Sequence, residues 1–129
     1  MNLRRLLRFD CIAALVAGTA TLILSGLLAP LLGLPRAVLV FTGLVNLAYG
    51  AFSFSLARQA APAPGRVKAL VAANFAWVAV CAAMALHFAG PGRWLGAAYM
   101  FGEGVFVGLL AAIEARVAWR LAAEHPPNG

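Results

Sequence analysis

The chain has 129 residues and a formal net charge of +6, with 64% of its residues hydrophobic and 11% charged. Soluble domains average roughly 45–50% apolar and about 25% charged residues, so a globule of this size cannot bury so many apolar side chains, and the composition points to a membrane protein. Low charge excludes disorder, a cysteine count of 2 excludes a disulfide scaffold, and the scarcity of Glu and Lys excludes a coiled coil.

In chain order, four almost uncharged stretches predict four transmembrane helices in a single integral membrane domain over residues 1–129. They form an all-α, antiparallel four-helix bundle with spans at about 9–30, 37–57, 68–89 and 94–115 and a polar C-terminal tail over 120–129. Each stretch supplies the ~20 residues of helix that cross a hydrocarbon core while satisfying their own backbone polar groups. Arg4 and Arg5 ahead of the first stretch resemble the start of a signal peptide. The apolar run, however, exceeds the usual h-region of about 7–15 residues and Asp10 opens it, so the segment is read as a span. Pro30, Gly33 and Pro35 are expected to close the first span. Pro62, Pro64 and Gly65 separate the second from the third, and Gly90, Pro91 and Gly92 the third from the fourth. On the last span Trp94 and Trp119 stand roughly 37 Å apart by helical rise, about the separation of the two headgroup belts.

Cations flank the spans unevenly. Arg4, Arg5, Arg8, Arg58, Arg66, Lys68, Arg116 and Arg120 fall on one side, and only Arg36 and Arg93 on the other. The positive-inside rule therefore predicts both termini in the cytoplasm and argues against dual insertion. With no patterned basic helix, the expected partner is the lipid bilayer through its anionic headgroups, and not nucleic acid. The excess of Arg over Lys and the abundance of Ala and Gly fit a GC-rich bacterial genome and an inner-membrane location.

Helices in lipid associate through small residues and polar side chains rather than through the hydrophobic effect. Small-residue stripes run through Ala14, Gly18, Thr21, Ser25 and Gly26, through Gly43, Asn46, Gly50, Ser53 and Ala57, and through Gly104, Gly108 and Ala112. They are expected to serve contacts within the chain, with a homo-oligomer or a membrane-protein partner on the last stripe as the alternative.

The chemistry-bearing residues at membrane depth are few. Glu103, Asn46 and Trp77 each lie roughly 13 Å into their spans, near the midplane, and with Asn74 and Tyr99 form a candidate intramembrane polar site. An isolated charge at that depth costs at least about 2.5–3.5 kcal/mol, and no Lys or Arg of this chain lies level with Glu103. Glu103 is thus expected to be a neutral acid, or to meet a ligand, water or another subunit. A neutral acid bonded to Asn46, Tyr99 or a backbone carbonyl would be interhelical glue; the functional alternative is a proton or cation site. A second group, Asp10, Glu114 and Arg8, is expected at the cytoplasmic edge, where ion pairs or headgroups would satisfy it. Cys11 and Cys81 lie at different depths and are read as separate buried thiols, and His87 has no companions for a metal. No motif with catalytic spacing occurs, so neither an enzyme nor a cofactor or metal is expected.

The motifs Leu7-Arg8-Phe9-Asp10, Leu31-Leu32-Gly33-Leu34-Pro35, Asn74-Phe75-Ala76-Trp77 and Ile113-Glu114 resemble those of small uncharacterised bacterial four-helix integral membrane proteins, over about residues 3–117. The resemblance implies an inner-membrane bundle, draws attention to Asp10, Asn74, Trp77 and Glu114, and brings no substrate. It also implies that an uncharged amide often stands where Glu103 does, which weighs against a general proton-carrier role. Small multidrug exporters differ in carrying an acid in the middle of their first span, and dual-topology fluoride channels in a filter motif of Phe and Thr that span three lacks. The expected function is that of a non-enzymatic accessory or interaction component of the membrane, with a small-solute or proton-coupled transporter using Glu103 as the alternative.

Overall fold

A computed structural model describes residues 2–124 and 126. It is all-helical, with four helices and no strand among the described residues: α1 (Leu3–Leu32), α2 (Arg36–Ala57), α3 (Pro64–Phe88) and α4 (Trp94–Glu124). All four are long and apolar enough to cross a membrane.

Local chemistry sets the helix ends. Asn2 caps α1, its side chain accepting from the Arg5 N–H at 2.8 Å. Pro30 does not close that helix as the sequence suggests. It sits within the last turn, and the stop comes at Gly33, whose φ of +67° is left-handed and whose N–H returns to the Ala29 carbonyl. A proline removes one hydrogen bond from the ladder, which the final turn tolerates better than an interior one. Pro64 opens α3, where its missing N–H is not needed. At the other end of the chain α4 runs to Glu124, so helix includes the first half of the region read as a polar tail. Residues 125 and 127–129 of that tail lie outside the described residues.

α1 lies mainly on α2 and α3 mainly on α4. Backbones approach where side chains vanish. A Cβ at Gly18 would stand 2.8 Å from the Gly43 carbonyl, and one at Gly50 2.8 Å from the Leu15 side chain. Gly104 faces Cys81 and Gly108 faces Val78 in the same manner, so both glycines of the last stripe serve contacts within the chain. Ala112 and Gly26, by contrast, are exposed.

Polarity is inverted relative to a soluble protein. Asp10, Thr42, Ser53, Asn74 and Glu114 are buried, whereas Ile23, Leu27, Leu86, Phe101 and Leu109 are exposed. One apolar cluster, around Leu34, Leu39, Trp77, Cys81 and Met100, packs one end of the bundle; another, of Leu7, Leu56, Ala57 and Leu70, packs the other. The polar side chains lie between them.

Candidate functional site: two polar layers and an acid-lined cleft

Each helix contributes one residue to a first polar layer: Asp10, Tyr49, Asn74 and Glu114. The Tyr49 hydroxyl donates to Asp10 Oδ2, and Asn74 Nδ2 donates to the Tyr49 oxygen at 2.5 Å and to Glu114 Oε2 at 3.3 Å. Asp10 and Glu114 are thus linked through Tyr49 and Asn74, and Glu114 Oε1 is buried without a partner. Glu114 is fully buried and Asp10 nearly so.

Glu103 organises the second layer. Its Oε1 accepts from Asn46 Nδ2 at 2.9 Å and from Trp77 Nε1 at 3.2 Å, while its Oε2 is buried without a partner. Asn46 also donates to the Thr42 carbonyl one turn earlier, at 3.1 Å, which orients its amide. The indole N–H thus finds the acceptor that its depth demands. On the far side of this layer Tyr99 and Thr21 share a hydrogen bond of 3.3 Å between their hydroxyls.

Of the five residues expected in the midplane site, the structure brings Glu103, Asn46 and Trp77 into direct contact. Tyr99 flanks them, bonded to Thr21 instead of to Glu103. Asn74 belongs to the other layer, with Asp10 and Glu114. Arg8 leaves that group: it is exposed, and no arginine reaches the two acids among the described hydrogen bonds, Arg4 donating to the Ala57 carbonyl and Arg36 to Ser25. Asp10 and Glu114 bond inward, to the Tyr49 phenol and the Asn74 amide respectively, where ion pairs or headgroups were expected. Tyr49 is the member the sequence gave least reason to select, since its only local signal is a hydroxyl three residues after Asn46.

A cleft of about 430 Å³ between α1, α2 and α4 joins the two layers. Asp10 and Tyr49 line it at one end and Asn46, Tyr99 and Glu103 at the other, and Ala14, Ala17 and Gly102 leave the space between them. Most of the remaining wall is apolar, including Phe106, Val107 and Leu110. Such a space is large enough for a small solute or several waters. Among the described residues no three His, Cys, Asp or Glu side chains come together as a metal site. Cys11 and Cys81 are free, buried thiols.

Comparison of the chain with protein-family models, curated proteins and solved structures finds no match.

Proposed function

We propose that the chain is a multi-pass protein of the bacterial inner membrane that carries a small solute or a proton through the cleft between α1, α2 and α4. The observation that carries this reading is a cleft of about 430 Å³ touching Glu103, whose second carboxyl oxygen has no partner among the described residues. Interhelical glue needs no cavity beside it, and Glu103 lines one whereas Glu114 does not. Intramembrane acids beside cavities mark ion and substrate pathways. An amide in place of Glu103 would still accept from Asn46 and Trp77, so solute binding is the more general form of the proposal and proton coupling the form this carboxyl adds.

Antiparallel spans, both termini in the cytoplasm and the resemblance to small four-helix bacterial membrane proteins belong to the same reading. Its support is the register of the two layers. Asn46 shares Glu103 with Trp77, while Tyr49, three residues on, shares its layer with Asn74, three residues before Trp77. Opposed directions of α2 and α3 produce that crossing. Likewise Asp10 shares its layer with Glu114 through Tyr49 and Asn74, and Thr21 meets Tyr99, as opposed directions of α1 and α4 would give.

An accessory or interaction role is the second reading, favoured by the broad apolar face of α4 at Phe101, Val105 and Leu109, on which a partner helix would lie. Proteoliposomes enclosing a pH indicator separate the two. On addition of protonatable amines, quaternary ammonium ions and monovalent metal ions in turn, the carrier reading expects at least one to drive proton flux that Glu103→Gln abolishes with the fold intact. Full flux in Glu103→Gln, or none with any compound, contradicts it.

A further inference from the structure

A second groove, of about 450 Å³, lies at the end of the bundle where α1 begins and α2 ends, and it shares no lining residue with the acid-lined cleft. Arg4, Arg8 and Arg58 line it, over a floor of Cys11, Ile12, Phe54 and Ala57. Two of the three guanidiniums are held in place by the chain itself. Arg4 Nε donates to the Ala57 carbonyl at 3.3 Å, satisfying a group that the last turn of α2 leaves open. Arg58 lies over the Phe54 ring, 5.6 Å from its centre. Among the described residues no carboxylate lines the groove, and Asp10, the acid nearest Arg8 in sequence, is turned inward to Tyr49. Three like charges held together without an anion of their own form a receptor for one, and guanidinium forks match phosphate oxygens.

The floor selects the kind of anion. Ile12 and Phe54 are 63% and 51% exposed, forming an apolar track that leads from the arginines along the outer face of α1 and α2. A free phosphate has no use for such a track, whereas an acyl chain has. We infer that this groove is a binding site for one anionic glycerophospholipid, its phosphate held by Arg4, Arg8 and Arg58 and an acyl chain laid over Ile12 and Phe54. The inference stands independently of what the cleft at Glu103 carries.

The test uses the full chain in phosphatidylcholine nanodiscs containing a minor fraction of phosphatidylglycerol, with bound lipid counted by native mass spectrometry. Arg8→Gln and Arg58→Gln should each lower phosphatidylglycerol retention about fivefold, the worth of one interfacial cation. Arg116→Gln and Arg120→Gln remove charge outside the groove and should leave retention unchanged. Ile12→Asn should lower it with the charges intact. Equal loss in both pairs of arginine variants would mean diffuse attraction to the bilayer and would overturn the site. So would displacement of the lipid by millimolar inorganic phosphate, which would assign the groove to a soluble anion.

Discussion

At the scale of single residues the two layers are unequal. Asp10, Tyr49, Asn74 and Glu114 form a chain of hydrogen bonds across all four helices, whereas Glu103 meets two donors and lines the cleft, and each of the two glutamates keeps one buried oxygen without a partner. Truncating a donor in the first layer should be felt as lost stability. Asn74→Ala strips the donors from Tyr49 and Glu114, and leaving buried acceptors unpaired costs about 1–3 kcal/mol, readable as a lower unfolding midpoint in detergent. Glu103→Gln keeps an acceptor for Asn46 and Trp77 and should unfold with the parent protein. Two glycines of the same helix give a matched pair. A Cβ at Gly96 would stand 2.5 Å from the Leu32 carbonyl, whereas at Gly102 it would meet nothing within 4 Å. Gly96→Ala should lose about 1–3 kcal/mol, and Gly102→Ala should lose nothing, in the same denaturation assay.

Among the helices, what was legible in the sequence was whatever one helix decides alone. Uninterrupted apolar length marks a span, and Pro64 and Gly33 mark ends, because backbone geometry is local. Even there Pro30 misleads, since a proline in a final turn and a proline beyond it read alike in one dimension. Partnership between helices was not legible. Asn74 and Trp77 share a face, which invites a single layer, yet a turn of helix is about 5.4 Å, enough to deliver them to different carboxyls. Tyr49, near the expected layer in sequence, stayed outside the expected site for the same reason: its partners, Asp10 and Asn74, lie on two other helices, and nothing local in α2 announces them. Gly33 offers an element-level test. Its φ of +67° strains any side chain, so Gly33→Ala should lower the unfolding midpoint by the equivalent of about 1 kcal/mol while leaving helix content by circular dichroism unchanged.

For the whole molecule, the proposal of cytoplasmic termini follows from eight cations on one set of ends against two on the other. A green fluorescent protein fused after residue 124 should fluoresce in a bacterial host, and alkaline phosphatase fused at Arg93 should be active. The reverse pattern would invert the orientation. In either orientation the two layers stay at different depths, with the cleft running between them.

Glu103 lines the cleft and Glu114 does not, so only the former is expected to meet a reagent that enters it. Treatment of the protein in native-like membranes with dicyclohexylcarbodiimide, an apolar reagent that attaches to protonated carboxyls, followed by peptide mass spectrometry, reads this directly. An adduct on Glu103 that is absent in Glu103→Gln, with Glu114 unmodified, is the predicted result; modification of Glu114 with Glu103 untouched would contradict it.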